Sequence, residues 1–177
     1  TKGLQMSSSN KPEWLVPPAL ITLAAIPVAA GMVRLTQLAH GGSISVGNAR
    51  FIAAPLPVVL HIVGAALYCV LGAFQFAPKF RRRRPDWHRA AGRLLVVSGL
   101  VAGFSGLWMA MFYAIVPADN ELLHGWGLRF GSLMVVSIAL GLVAIRRRDI
   151  VGHQAWMRRG YAIGQGAGTQ AITQLPM

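Results

Sequence analysis

Five apolar runs, each about twenty residues or longer and separated by blocks of arginine or short polar loops, leave this chain few folds to choose from. The runs cover about 15–38, 55–78, 88–115, 122–145 and 153–177. A stretch of that length matches the hydrocarbon thickness of a bilayer, and inside a bilayer backbone groups must be satisfied within the chain, which selects helices. Composition agrees: 54% of the residues are hydrophobic and 12% are charged, against roughly 25% charged in soluble domains. The expected fold is therefore all-α, a polytopic integral membrane bundle of about five transmembrane helices. A polar tail precedes it at 1–14, and an outer loop rich in Gly, Ser and Asn links the first two spans at 39–54. Pro17, Pro18 and Pro27 should bend the first span.

The net charge of +12 would suggest nucleic acid if the arginines lay along a soluble face. They stand instead in blocks between spans, so a nucleic-acid partner is excluded and membrane topology accounts for the charge. Lys79, Arg81 to Arg84, Arg89, Arg93, Arg146 to Arg148, Arg158 and Arg159 all fall on one side, together with Lys2 and Lys11, while Arg34, Arg50 and Arg129 fall on the other. The positive-inside rule then places the arginine blocks and the N-terminus in the cytoplasm of a cell whose inner (plasma) membrane holds the protein. The lone Cys69 excludes an intrachain disulfide and a thiolate cluster. The chain opens on Thr1 and its last apolar segment stops at Met177, which points to trimming at one or both ends.

The arginine blocks belong to a tandem repeat. Residues 81–93 read Arg-Arg-Arg-Arg-Pro-Asp-Trp-His-Arg-Ala-Ala-Gly-Arg, and 146–158 read Arg-Arg-Arg-Asp-Ile-Val-Gly-His-Gln-Ala-Trp-Met-Arg. Aligning His88 with His153 also aligns Ala90 with Ala155 and Arg93 with Arg158. The span before each block opens with His-x-x-Gly, at His61 to Gly64 and at His124 to Gly127. Two helix pairs related in this way make a four-helix core, 55–177, about an axis along the membrane normal.

That symmetry lets spans two and four face each other, and likewise spans three and five. His61 would meet His124 near the outer face, and His88 would meet His153 near the inner one. Paired neutral imidazoles on facing helices are what six-coordinate b-type haems require, so the four histidines are the expected iron ligands of two haems, one near each membrane face. Gly64, Gly92, Gly127 and Gly160 lie on the histidine-bearing faces and would leave room for a flat ring. Arg89, Arg93, Arg158 and Arg159 inside, and Arg129 and Arg34 outside, are the cations expected for the propionates. Along a straight helix His61 stands about 26 Å from the inner end of its span at Pro78, so the inner histidines lie nearer the headgroups than a buried haem would prefer.

The same residues have plainer uses. Glycines every three or four residues also let helices pack closely. Trp14, Trp87, Trp126 and Trp156 stand near span ends, where aromatic belts form. Arg129 could pair with Glu121 or Asp119, and His40 lies in a loop outside the pattern.

Trp87-His88-Arg89-x-x-Gly92-Arg93 and His153-x-x-Trp156-Met157-x-Arg159-x-Tyr161-Ala162 resemble the signature motifs of a family of uncharacterised bacterial multi-pass membrane proteins, known as a domain of unknown function. The resemblance covers 55 to the end and implies a fold, without an activity. More loosely, the alternating histidines resemble the ascorbate-reducible transmembrane di-haem cytochromes b. That resemblance implies ligation by His61 with His124 and by His88 with His153. The hinges here are shorter than in those cytochromes, and no ascorbate-site motif accompanies them.

The leading expectation is a transmembrane electron carrier or membrane oxidoreductase with two haem b groups, exchanging electrons with a quinone or a redox protein. Its chief rival is a non-catalytic scaffold or accessory subunit of a larger membrane complex, binding anionic lipid or a partner protein. A third reading is a proton-coupled transporter using Arg129, the histidines and Gln75; the lack of a mid-span carboxylate counts against it.

Overall fold

Proline decides where most of the helices begin. In the computed structural model, which describes residues 15–41, 44–114 and 121–173, with side chains at 15–41, 44–77, 80–114 and 124–166, the elements are α1 (Val16–Ala39), α2 (Ala49–Ala53), α3 (Pro55–Gln75), α4 (Pro78–Arg83), α5 (Pro85–Phe112), α6 (Glu121–Arg146) and α7 (Ile150–Thr173). α1, α3, α4 and α5 each carry a proline in the first two helical positions, where its missing N–H would have had no partner in any case. Pro27 lies inside α1, which continues through it to Ala39. The expected tail at 1–14, the polar turn of Pro117, Asp119 and Asn120, and the last residues, 174–177, lie outside the described residues.

α1, α3, α5 and the stretch His124–Arg146 of α6 are long and apolar enough to cross a membrane. α7 matches α1 in length at 24 residues, but His153, Gln154, Arg158 and Arg159 make its first half polar. The span expected from 88 begins earlier, at Pro85, and the one expected from 153 begins at Ile150. Asp149 starts the latter: its Oδ1 accepts the Gly152 N–H at 2.8 Å, an N-cap that satisfies one of the free donors of the first turn. Just before it, α6 stops at Arg146, and Arg148 follows in the left-handed region at φ 62, with Arg148 N–H donating to Ile145 O and Asp149 N–H to Ala144 O. This is a Schellman-type stop made without glycine.

The four long helices after α1 form a ring. α3 packs on α5, α5 on α6, α6 on α7, and α7 returns to α3 over a narrower seam, which α1 covers by packing on both α3 and α7. α3 and α6 stand on one diagonal of the ring, α5 and α7 on the other, as the tandem repeat leads one to expect. Inside are Tyr68, Leu95, Met134, Ile138 and Tyr161, with Leu20, Leu71 and Phe76 against them. Glycines set the spacing. A Cβ on Gly64 would stand 2.9 Å from the Ser98 carbonyl oxygen and 3.1 Å from the Ala102 nitrogen, so α3 and α5 touch backbone to backbone. Gly99 receives the ring of Tyr68, and Gly72 the ring of Tyr161. The Tyr161 hydroxyl donates to Cys69 O at 2.7 Å and accepts from Gln165 Nε2 at 2.6 Å, and the same amide reaches Leu20 O at 3.4 Å. One chain of hydrogen bonds thus ties α7 to α3 and to α1.

Aromatic clusters close the two ends. At the first arginine hinge Phe80 and Trp87 meet at 4.9 Å, each also against Phe74. At the opposite end Phe51 of α2 lies edge-on to Tyr113, with Arg34 and Arg50 both 4.9 Å from its ring centre. Tyr113 donates its hydroxyl to Ala54 O at 2.6 Å.

Candidate functional site

The inward-facing stripe of α3 runs through His61, Gly64, Tyr68 and Gly72 and ends on Gln75. That of α5 begins on His88 and continues through Ala91, Leu95 and Gly99; that of α7 begins on His153 and continues through Met157, Gly160 and Gly164. Helical spacing alone puts these residues on one face of each helix. Gln75, His88 and His153 therefore all stand at the arginine-hinge end of the bundle, on three helices.

This cluster is polar and incompletely satisfied. His153 Nδ1 donates to the Gly141 carbonyl of α6 at 2.8 Å; a carbonyl can only accept, so the proton is on Nδ1 and Nε2 keeps its lone pair. His88 is half-buried, yet its Nδ1 is sealed from solvent and has no hydrogen-bond partner. Both amide atoms of Gln75 are in the same condition, and so, about two turns deeper among core residues, is the Tyr68 hydroxyl. Each such group costs roughly 1–3 kcal/mol while unpaired, so three of them at one end of a bundle mark a place where a polar ligand is accommodated better than the apolar core alone. His153 and the Arg81 guanidinium both lie within electrostatic range of His88. Arg89 is held by Asp86 one turn away, whereas Arg93 is exposed on the same helix.

The register of the helices decides which histidines can act together. Followed through α6, where Gly99 meets Ile138 and Ile138 meets Gly160, the level of His88 falls a few residues to one side of His153. Followed through α3, where Phe74 meets Trp87 and Gly72 meets Tyr161, it falls a few residues to the other. The first path puts His88 about 6 Å to one side and the second about 10 Å to the other, so the two bracket a common level, and His153 lies within electrostatic range of His88. The outer pair is placed differently. His61 donates its Nδ1 proton to Ala102 O at 2.9 Å and lies against Gly106. Gly103 faces Gly131 of α6, so His61 stands near residues 128–132 of α6, and His124 lies one to two turns further out. The bundle leaves His153 within electrostatic range of His88 and staggers His61 and His124.

The residues at the arginine-hinge end fit a haem in donor type and charge. His153 has the fixed tautomer that metal-bound imidazoles show, His88 stands across the diagonal from it, and a Cβ on Gly92, one turn along from His88, would meet nothing within 4 Å. Closer to the bundle centre the space is filled: Gly64, Gly72 and Gly99 receive backbone or tyrosine rings, and Gly160 touches Ile138, Ser137 and the Tyr68 hydroxyl. Gly127 is open but exposed. Among the arginines expected near propionates, Arg158 turns toward α1, Arg159 lies over Trp156 at 4.5 Å, Arg129 lies over Trp126 at 5.6 Å, and Arg34 is on Phe51. Among the described residues no group of three or more His, Cys, Asp or Glu side chains gathers as a metal cluster would.

The Gly141 carbonyl that orients His153 and the Arg34, Phe51, Arg50, Tyr113 cluster left no mark in the pattern of the sequence. Both depend on which residues tertiary packing brings together.

Neither a curated protein nor a solved structure matches the chain. Residues 58–177, the whole four-helix ring apart from the first turn of α3, match the family described as Predicted membrane protein (DUF2306). With apolar helices of spanning length arranged as one bundle, the chain belongs to that family of membrane proteins.

Proposed function

We propose that the protein is a membrane electron carrier of the b-type cytochrome kind, with a haem held between His88 and His153 at the inner end of the bundle. The observation that carries this reading is the pair of imidazoles within electrostatic range of each other on diagonal helices, one with its Nε2 freed by the Gly141 carbonyl and the other with a buried, unpartnered ring nitrogen. When bound, the haem supplies one-electron exchange at iron. The chain supplies the rest. Gly141 O fixes the orientation of His153, and Gln75 offers hydrogen bonds from the α3 side. Arg81 and Arg93 offer positive charge at the membrane edge, and Leu95, Tyr161 and Ile138 exclude water from the side facing the core.

In this reading the arginine hinges and the N-terminus face the cytoplasm, as the positive-inside rule directs, and the haem lies toward that side of the inner membrane. A quinone in the bilayer or a redox protein at the cytoplasmic face is the exchange partner. The second haem expected at His61 and His124 would require α3 and α6 to slide past each other by one to two turns, so the inner haem is the one the geometry favours.

The test is an absorption spectrum of the full chain purified from haem-replete cells. A Soret band with sharp reduced α bands, lost in His88→Ala and in His153→Ala and kept in His124→Ala, supports the assignment. A colourless, well-folded protein sinks it.

A further inference from the structure

We propose that the groove between α1 and α7 binds one anionic phospholipid of the inner leaflet, with its phosphate on Arg158 and part of one acyl chain along the groove. The groove has a volume of about 450 Å³ and is bounded by Val16, Leu20 and Leu23 of α1, Phe76 after α3, and Arg158 and Gln165 of α7. α1 and α7 are the first and last of five long helices in an up-and-down order, so they run in the same direction and the groove follows both. From Val16 to Leu23, and from Arg158 to Gln165, it extends about 10 Å along the helices. That is a third of the roughly 30 Å hydrocarbon core. Its walls are almost wholly apolar, and its cation stands at the end nearest the headgroups.

The charge on this face argues for an anion in particular. Among the described residues nothing pairs with Arg158, while its neighbour Arg159 is engaged with Trp156. The described acids on the same side are committed: Asp86 holds Arg89 and Asp149 caps α7. Arg81 to Arg84 and Arg146 to Arg148 add further positive charge to the same rim, so the counter-charge must come from outside the described chain. A zwitterionic lipid brings no net charge, and a neutral isoprenoid leaves Arg158 without a partner. The wet, cationic end and dry interior of the groove match a phosphate joined to an acyl chain. This assignment does not depend on the haem.

The experiment uses the full chain released from detergent micelles into a native mass spectrometer, with phosphatidylglycerol or phosphatidylcholine of identical acyl chains added. One phosphatidylglycerol should be retained per chain and phosphatidylcholine should not. Arg158→Gln should weaken retention roughly fivefold or more, from the loss of one surface cation's attraction to anionic lipid. Arg158→Lys should keep most of it, and Arg82→Gln, on the exposed hinge, should leave it unchanged. Leu23→Trp, which fills the groove from its exposed wall, should displace the lipid while Arg158 remains; if that variant does not fold, the Gln and Lys variants decide. Equal retention of phosphatidylcholine, or undiminished phosphatidylglycerol in Arg158→Gln, overturns the proposal. So does loss of lipid in Arg82→Gln equal to that in Arg158→Gln.

Discussion

Replacing Gly72 by alanine should destabilise the bundle through Tyr161, and a double-mutant cycle can show it. A Cβ at position 72 would stand 2.1 Å from the Tyr161 ring, so the ring cannot remain where it is. Forcing a side chain out of a packed interior costs about 1–3 kcal/mol. Moving this ring also withdraws its hydroxyl from Cys69 O and from Gln165 Nε2, each bond worth about 1 kcal/mol net. The expected loss for Gly72→Ala is therefore roughly 3–5 kcal/mol. In a Tyr161→Ala background the ring atoms that crowd position 72 are gone, so the same substitution should cost less than about 1 kcal/mol. The interaction energy is then roughly 2–4 kcal/mol, well above the few tenths at which independent sites add. Unfolding by a denaturing detergent, followed by loss of helicity, measures all four corners of the cycle. If the two substitutions add, the close approach of α3 and α7 at this point is not what places Tyr161.

Three further outcomes are expected in the same assay. Arg148→Gly should stabilise the protein by about 1 kcal/mol, because Arg148 occupies a left-handed backbone conformation that glycine adopts freely; an unchanged or lower midpoint would mean that the side chain makes a compensating contact. Asp149→Ala should cost about 1 kcal/mol through loss of the cap on Gly152 N–H, with Asp149→Asn recovering most of it. Gln75→Leu should raise the stability of the haem-free protein by roughly 1–3 kcal/mol by removing two buried, unpaired amide atoms; a loss of stability instead would show that the amide is already satisfied.

The membrane fold and its pseudo-symmetry were legible in the sequence because both are written in runs of a dozen residues or more. Span lengths, the His-x-x-Gly openings and the paired arginine blocks give the helix order, and the repeat gives the diagonals. The candidate site was legible in part. His88 and His153 could be named from the motif, but their relative height could not, since height depends on how far each helix slides against its neighbours. Gly64 and Gly103 govern that sliding by letting α5 approach α3 and α6. The glycine stripes were ambiguous for the same reason: spacing shows that a face is smooth, and only packing shows what lies against it, which for Gly72 and Gly99 is a tyrosine ring. The placement of Arg34 and Arg50 on Phe51 had no linear signature, being a meeting of α1 with a five-residue helix in the loop that follows it.

The seam between α3 and α7 has a consequence for the order of assembly. Each sequential hairpin, α3 with α5 and α6 with α7, can form as soon as its second helix enters the bilayer. The contacts that join the first helix to the rest are different in kind. Leu20 waits for Gln165, 145 residues downstream, so α1 gains its partner on α7 only after nearly the whole chain has been inserted. A polypeptide cut short before α7 would keep its first hairpin and leave bare the lesser part of the α1 surface, the part that packs on α7. For quality control, a loosely docked N-terminal helix would report that the C-terminal end is missing.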